Sequence, residues 1–234
     1  MLKCLQKLTL IDYPGKLACT IFLYGCNFRC GFCHNPELVL TPTEERYSEE
    51  EILKFLEKRK AQLDGVCFTG GEPLLSLRKE FVKRVKEIGY AIKIDTNGSN
   101  PEKLKELINE NLVDYIAMDL KASPEKYVEV VNAQVPLEKL EETIKIMVSY
   151  GGDYEFRTTI LKRFHNEDDL EKMFKWILGL TRGVKPKRYF LQGFVNKGKL
   201  LDNTFKSEPD VYEDYLGKLK KVADNYFESV GVRV

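Results

Sequence analysis

Short runs of apolar and β-branched residues recur along the chain, and each is followed by a segment with helical spacing. The six runs cover residues 18–24, 65–69, 90–95, 115–118, 154–160 and 189–191. Uninterrupted apolar runs of this length are typical of strands that are buried on both faces, as in parallel sheets. The pattern therefore predicts six parallel strands.

The segments between these runs predict helices at residues 48–60, 77–88, 101–111, 137–150, 166–180 and 209–227. The first opens with Ser48 and Glu51, the spacing of a capping box, and places Ile52 and Leu56 on one face. Six strand–helix alternations predict a parallel α/β fold with right-handed crossovers. Since a complete barrel has eight units, we expect a partial (β/α)6 TIM-like barrel. No internal repeat or linker interrupts the pattern, so residues 1–234 are predicted to form a single domain.

The composition does not indicate nucleic acid or a membrane as a partner. The 234 residues include 37 Lys and Arg against 36 Asp and Glu, so the bulk charge indicates neither nucleic acid nor membrane as a partner. The N-terminal residues contain no signal-peptide core, and no apolar run reaches transmembrane length. We therefore expect a cytoplasmic protein.

Three of the six cysteines, Cys26, Cys30 and Cys33, fall within eight residues directly after the first predicted strand. In a reducing compartment such a cluster indicates metal binding or redox chemistry rather than disulfides. Three thiolates can hold one cuboidal iron–sulfur cluster and leave one iron open for a ligand. Structural zinc bound by the three cysteines and His34 is the alternative, although adjacent Cys33 and His34 would have difficulty reaching one ion.

Polar residues also end the next predicted strands. Gly70, Gly71 and Glu72 follow the second strand, where glycines permit close backbone approach and a carboxylate accepts hydrogen bonds. Asp95, Thr96 and Asn97 end the third strand, and Asp119 and Lys121 end the fourth; an ordinary turn or solvated loop charge is the alternative for each group. Arg157 interrupts the fifth strand, which indicates pairing with a bound anion or with a neighbouring acid.

The segment Cys26-Asn27-Phe28-Arg29-Cys30-Gly31-Phe32-Cys33-His34-Asn35-Pro36 resembles the signature of the radical S-adenosylmethionine superfamily. Its continuation after the third cysteine resembles the activating enzymes of glycyl radical enzymes. Together with Ile11-Asp12-Tyr13-Pro14-Gly15-Lys16, it is similar to the activating proteins of anaerobic ribonucleoside-triphosphate reductases. The sequence Gln192-Gly193-Phe194 departs from the formate-lyase activators and favours the reductase group.

This resemblance implies a set of roles. Cys26, Cys30 and Cys33 would hold a [4Fe–4S] cluster, Gly70, Gly71 and Glu72 the amino group of S-adenosylmethionine, and Phe32 would lie against its adenine. Asp95, Thr96 and Asp119 would surround a monovalent cation near the methionyl carboxylate, and Lys121 would contact that carboxylate. Asn97 would belong to the same cofactor-binding segment as Asp95 and Thr96. For Arg157 the same carboxylate or the ribose region is a candidate partner. Asp12 would face the peptide substrate, and a turn residue before Pro14 is the alternative.

The implied reaction is reductive cleavage of S-adenosylmethionine to a 5′-deoxyadenosyl radical, which removes a Cα hydrogen from a glycine of a partner enzyme. The implied partners are the large subunit of an anaerobic ribonucleotide reductase and a flavodoxin- or ferredoxin-type electron donor. Activation of pyruvate formate-lyase, modification of a small molecule, and an iron–sulfur electron carrier remain alternatives. His165 is expected at the surface, and Cys19 and Cys67 as small packed hydrophobes.

Overall fold

The computed structural model describes residues 2–40 and 46–234, without the side chains of residues 2 and 3. Within these residues the strands form an eight-stranded sheet in chain order. The strands are β1 (Leu2–Thr9), β2 (Ala18–Leu23), β3 (Gly65–Gly70), β4 (Ala91–Thr96), β5 (Tyr115–Asp119), β6 (Asp153–Ile160), β7 (Arg188–Gly193) and β8 (Ser229–Arg233). The helices are α1 (Pro36–Val39), α2 (Glu49–Arg59), α3 (Lys79–Ile88), α4 (Pro101–Asn109), α5 (Tyr127–Val131), α6 (Leu137–Ser149), α7 (Glu167–Leu180) and α8 (Glu213–Ala223).

All six predicted strands are present as β2 to β7, each followed by a helix, so the predicted α/β class with parallel strands is confirmed. The sequence pattern missed β1, β8 and the short helices α1 and α5. It also made the last helix too long, because α8 covers only residues 213–223 of the expected 209–227. No helix in the described part of the chain is long and apolar enough to cross a membrane.

The chain divides into two compact units, and the boundary in the sheet falls inside β5. The first unit contains residues 1–27, 37–96 and 102–116, and the second contains residues 28–36, 97–101 and 117–234. The single-domain assignment stays a prediction.

In the first unit β1 pairs antiparallel with β2, and β2, β3 and β4 are parallel, with Cys67 of β3 opposite Thr20 of β2 and Lys93 of β4. Helix α2 begins as predicted: Ser48 Oγ accepts from the Glu51 amide at 3.3 Å, and the Glu51 carboxylate accepts from the Ser48 amide at 2.8 Å. The helix buries Ile52, Leu53 and Leu56.

In the second unit β6, β7 and β8 are parallel. Its core is rich in aromatic rings: Tyr189 of β7 stacks on Phe227 at 4.6 Å between ring centroids, and Phe174 of α7 meets Tyr189 edge-on at 4.9 Å. Asn166 caps α7 in the same reciprocal way as Ser48 caps α2. This aromatic packing buries β7 against α7.

Candidate functional site

The predicted site residues lie at or just beyond the carboxyl ends of strands. In the first unit Cys26 follows the end of β2, Gly70 ends β3 and Thr96 ends β4. Because β2, β3 and β4 are parallel neighbours, these ends lie along one edge of the unit. In the second unit Asp119 ends β5.

The first part of the cysteine loop, in the first unit, is fixed by its backbone. The Gly25 amide donates to the Leu38 carbonyl at 2.8 Å, and the Cys26 amide donates to the Val39 carbonyl at 3.3 Å. The Gly25 carbonyl accepts from the Glu72 amide at 2.7 Å. Cys26 is therefore held between the short helix α1 and the turn that follows β3.

The two glycines after β3 are required by backbone packing. A Cβ on Gly70 would lie 2.2 Å from the Leu23 carbonyl oxygen, and the residue has φ +130°. A Cβ on Gly71 would lie 2.1 Å from the Gly25 carbonyl oxygen and 2.8 Å from that of Leu38. The sequence suggested that these glycines admit a ligand, whereas here they admit the backbone that leads into the cysteine loop.

Glu72 is fully buried, and its carboxylate is held by neighbours in the same unit. Its Oε1 accepts from the Thr96 hydroxyl at 2.8 Å and from the Leu74 amide at 3.0 Å. The contact joins the ends of β3 and β4 and fixes the orientation of the carboxylate. A buried, pre-oriented carboxylate can accept a hydrogen bond from an ammonium group with little further cost in side-chain entropy.

Asp95 and Asn97 have different local roles. Asp95, in the first unit, is ion-paired with the buried ammonium group of Lys93. Asn97, in the second unit, accepts from the Ser99 amide at 3.0 Å and from the Ser99 hydroxyl at 2.6 Å, so it stabilises the turn through Gly98 at φ +79°. The turn alternative for Asn97 is thus present.

The second part of the cysteine loop, in the second unit, is held by a segment far along the chain. The Cys33 amide donates to the Cys30 carbonyl at 3.0 Å. The Leu201 amide donates to the Cys33 carbonyl at 3.1 Å, and the Asp202 amide donates to the Gly31 carbonyl at 2.9 Å. Residues 201–202 thus hold the loop backbone around Cys30 and Cys33.

Phe32 is buried at 4% exposure in an aromatic cluster with Phe164 and Phe205, whose ring centroids lie 6.5 and 6.0 Å away. The Arg163 guanidinium lies over the rings of Phe164 and Phe205, 5.3 and 5.2 Å from their centroids. A Cβ on Gly31 would lie 2.3 Å from Phe205 Cε2, so this cluster also requires glycine before Phe32. Phe32 therefore has a packing role in this cluster, and its contact with adenine stays a prediction.

A chain of charged side chains links β5, β6 and β8 in the second unit. Arg157 Nε donates to Asp119 Oδ1 at 2.9 Å, and Lys121 Nζ donates to Asp119 Oδ2 at 3.2 Å. Glu155, 1% exposed, accepts from both terminal nitrogens of Arg233 at 2.9 and 3.0 Å. Burial alone would raise the pKa of Asp119, but the charges of Arg157 and Lys121 hold it well below its usual value. Arg157 therefore has the neighbouring acid that the sequence left as one of its two explanations.

The chain is similar to known proteins over most of its length. Residues 20–177 match the family model described as the radical SAM superfamily. A protein of Methanocaldococcus jannaschii, provisionally named a glycyl-radical enzyme activating enzyme, is 34% identical over 97% of this chain and 92% of its own. The chain belongs to the radical S-adenosylmethionine superfamily. Its family within that superfamily is that of the glycyl-radical enzyme activating enzymes.

Two further matches are partial. The pyruvate formate-lyase-activating enzyme of Clostridium pasteurianum is 32% identical over 50% of this chain and 50% of its own length. The crystal structure of a domain of such an enzyme from Bacteroides vulgatus superposes with a TM-score of 0.56 at 18% identity, covering 73% of this chain and 99% of that one. At this identity the superposition shows a shared fold.

Membership of the superfamily implies a [4Fe–4S] cluster and S-adenosylmethionine as cofactors. The donor chemistry fits: Cys26, Cys30 and Cys33 form no disulfide, and thiolates are the usual ligands of such clusters. Burial raises the pKa of the Cys30 thiol to about 11, and the charge of Lys121 opposes the rise. Within residues 2–40 and 46–234, no three His, Cys, Asp or Glu side chains form a ready-made metal group. The assignment of the three ligands accordingly stays a prediction.

His34, which the zinc alternative requires, has a contact of its own in the second unit. Its Nε2 lies 2.7 Å from the Val195 carbonyl oxygen, and its ring packs against Phe194 at 5.4 Å between centroids. These contacts orient the ring with respect to the segment after β7. They favour a role for His34 in holding the loop over a role as a zinc ligand.

Asp12 lies in the turn between β1 and β2, at the amino end of β2, whereas Cys26 lies beyond the carboxyl end of the same strand. Its carboxylate accepts from the hydroxyl of Thr20, and its amide donates to Thr9 Oγ1 at 3.2 Å. The turn alternative for Asp12 is therefore present. Contact with a peptide substrate stays a prediction.

The expectation of a surface position for His165 was wrong. The ring is 1% exposed, its Nδ1 accepts from the Leu161 amide at 3.0 Å, and its Nε2 lies 2.8 Å from the Lys121 carbonyl oxygen. Burial lowers the pKa of His165 to about 4, so the ring is a neutral link between β6 and the segment after β5.

Sequence reasoning also missed Lys93, Glu155 and Arg233, while the packed positions expected for Cys19 and Cys67 are confirmed.

Proposed function

We propose that this radical S-adenosylmethionine enzyme activates a glycyl radical enzyme by removing a Cα hydrogen from one glycine of its partner. The similarity to the M. jannaschii protein carries the proposal, since it extends over 97% of this chain and 92% of that one. When bound, the cluster and S-adenosylmethionine supply one-electron cleavage of a carbon–sulfur bond and a 5′-deoxyadenosyl radical. The protein supplies binding, orientation and the exclusion of water.

In the first unit we assign binding of the S-adenosylmethionine amino group to Glu72 and the turn that carries it. The carboxylate is buried and already oriented by Thr96 and Leu74. An ammonium group is a suitable partner, because a buried carboxylate is stabilised by a charged donor.

In the second unit the excess of positive charge supports binding of a carboxylate. Lys121, Arg157 and Arg233 carry three positive charges against the two negative charges of Asp119 and Glu155. A partly buried group of five charges with a net charge of +1 is suited to one further anion. We assign this role to the methionyl carboxylate, with Lys121 and Arg157 as its contacts.

As the partner we propose an anaerobic ribonucleoside-triphosphate reductase. Support comes from the likeness of residues 11–16 and 26–36 to the activators of those enzymes, and from Gln192-Gly193-Phe194 at the end of β7. Pyruvate formate-lyase is the second candidate, because activators of that enzyme match half of this chain at 32% identity. In either partner the target is glycine, since a residue without Cβ lets its backbone enter a narrow site. We further propose a flavodoxin- or ferredoxin-type electron donor and a cytoplasmic location.

The test uses the full chain, anaerobically reconstituted with iron and sulfide. Under reduction it is expected to convert S-adenosylmethionine into 5′-deoxyadenosine and methionine, measured by chromatography. Addition of the reductase large subunit is expected to produce a glycyl radical doublet in the electron paramagnetic resonance spectrum. A partner variant with alanine at the radical glycine is the control.

The possible outcomes separate the two partners. A doublet only on pyruvate formate-lyase would replace the reductase as partner. Iron-loaded protein that binds S-adenosylmethionine but yields no 5′-deoxyadenosine would overturn the enzymatic proposal, and so would zinc without iron in anaerobically purified protein.

A further inference from the structure

Lys93 is a charged residue in the interior of the first unit. It lies on β4, its side chain is 1% exposed, and it is flanked by apolar residues of the same strand. Lysine is almost never fully buried without a partner, because removing an ammonium group from water is costly. The position therefore requires compensation by neighbouring groups.

Three neighbours fix the ammonium group. Asp95, two residues further along β4 and on the same face, forms the ion pair. The Tyr115 ring lies 5.7 Å away under the charge, and Cys67 Sγ on the neighbouring strand lies 3.9 Å away. A side chain held on several sides in this way presents a positive charge at a fixed place beside Asp95.

Asp95 is one of three residues that the family resemblance associates with a monovalent cation. Its negative charge is already balanced by the positive charge of Lys93. A potassium or sodium ion bound to the same carboxylate would lie close to the ammonium group. Where a site is shielded from bulk water, two like charges at short range repel each other strongly. Asp95 therefore fits a lysine ammonium group better than a free cation.

Of the two other residues that the resemblance associates with the cation, Asp119 is also compensated by neighbouring charges. In the second unit Asp119 is paired with both Arg157 at 2.9 Å and Lys121 at 3.2 Å, so two fixed cations already face its one charge. In the first unit Thr96 is uncharged, and its hydroxyl donates to Glu72 at 2.8 Å. Each carboxylate assigned to the cation is thus neutralised by side chains of its own unit.

We propose that Lys93 takes the place of the monovalent cation, so that S-adenosylmethionine binds without potassium or sodium. The inference rests on the proposed function, because it assigns Lys93 a positioning role in binding that cofactor. The ammonium group contributes a fixed positive charge that holds Asp95 and the end of β4 in place. Replacing it with a neutral side chain of similar length leaves the Asp95 carboxylate open to a cation from solution.

The experiment compares three proteins: wild type, Lys93→Met and the control Lys86→Met. Lys86 is a suitable control because it also pairs with an aspartate of the first unit, Asp114 at 2.5 Å, but its side chain is 29% exposed. S-adenosylmethionine affinity is measured by calorimetry on the reconstituted proteins in potassium, sodium and choline chloride at constant ionic strength. Cleavage to 5′-deoxyadenosine is measured in parallel.

Wild type and Lys86→Met are expected to bind S-adenosylmethionine with the same affinity in all three salts, within about twofold. Lys93→Met is expected to bind about tenfold more tightly in potassium than in choline, a factor that corresponds to about 1.4 kcal/mol. Iron content and circular dichroism show whether the variant is folded. If it is not, the wild-type comparison still decides the question.

Wild-type affinity that falls about tenfold or more when choline replaces potassium would overturn the inference. So would a folded Lys93→Met protein with no preference among the salts. Affinity that is independent of salt without any cleavage would leave Lys93 as proposed and refute the proposed function instead. The two proposals therefore fail on different measurements.

Discussion

Replacement of Gly71 by alanine tests whether the glycine pair is needed for backbone packing. The new Cβ would lie 2.1 Å from the Gly25 carbonyl oxygen, so this oxygen must retreat by about 0.9 Å to reach the 3.0 Å that real Cβ atoms keep. Overpacking of this kind costs about 1–3 kcal/mol. The same shift disrupts the 2.7 Å hydrogen bond from the Glu72 amide to Gly25, which is worth about 1 kcal/mol.

Together these effects lower the free energy of unfolding by about 3 kcal/mol, using the middle of the overpacking range. At roughly 3 °C per kcal/mol for a chain of this size, the midpoint of thermal unfolding falls by about 9 °C. Iron content falls as well, because Gly25 precedes the proposed ligand Cys26. Both quantities are measured anaerobically, by circular dichroism and by iron analysis after reconstitution.

The control is Gly179→Ala in α7, where a new Cβ meets nothing within 4 Å. Alanine has the higher helix propensity by about 1 kcal/mol, so this variant is expected to be as stable as wild type or slightly more stable. A Gly71→Ala protein with the unfolding midpoint and the iron content of the Gly179→Ala control would refute the backbone explanation. The glycine pair would then have to be explained by the ligand.

Three further changes test other parts of the site. Cys30→Ala is expected to abolish cluster absorbance while Cys19→Ala retains it, and an intact cluster in the first variant would contradict the ligand assignment. Gly31→Ala is expected to lower the free energy of unfolding in urea by about 1–3 kcal/mol, because the new Cβ would lie 2.3 Å from the Phe205 ring. The loss is expected to be clearly smaller in a Phe205→Ala background, and equal losses in the two backgrounds would exclude this clash as the cause. Because His165 has a folded-state pKa of about 4 and an unfolded value near 6.5, its contribution is complete above pH 6.5 and is lost as the pH falls towards 4. Between pH 7 and 5 the loss is about 2 kcal/mol, and His165→Gln should remove that slope from a pH series of urea unfolding curves.

The parallel strands could be predicted from the sequence because their apolar runs indicate burial on both faces. The edge strands β1 and β8 have no such runs. In β1, Gln6 and Lys7 are exposed and Leu8 is 49% exposed, while none of the residues of β8 is fully buried. A strand with a neighbour on one side only has fewer buried positions, so hydrophobic periodicity gives a weak signal there.

The residues of the candidate site could be predicted where they follow one another in a strand–loop–helix unit. Their partners could not, because they come from distant parts of the chain. The His165 ring is held by the carbonyl of Lys121, which lies 44 residues earlier. A single histidine in a loop has no periodicity that could reveal its burial, and this explains the incorrect surface assignment.

Charge compensation shows why the chemistry of a motif depends on residues outside it. Asp95 and Asp119 alone suggest two anionic ligands for a cation. The structure pairs Asp95 with Lys93, and Asp119 with Arg157 and Lys121. Lys93 is the most informative of these, since the sequence gives no reason for a lysine inside an apolar strand, and the structure supplies one in the ion pair with Asp95. Asp95 and Asp119 are thus each compensated by side chains of their own unit.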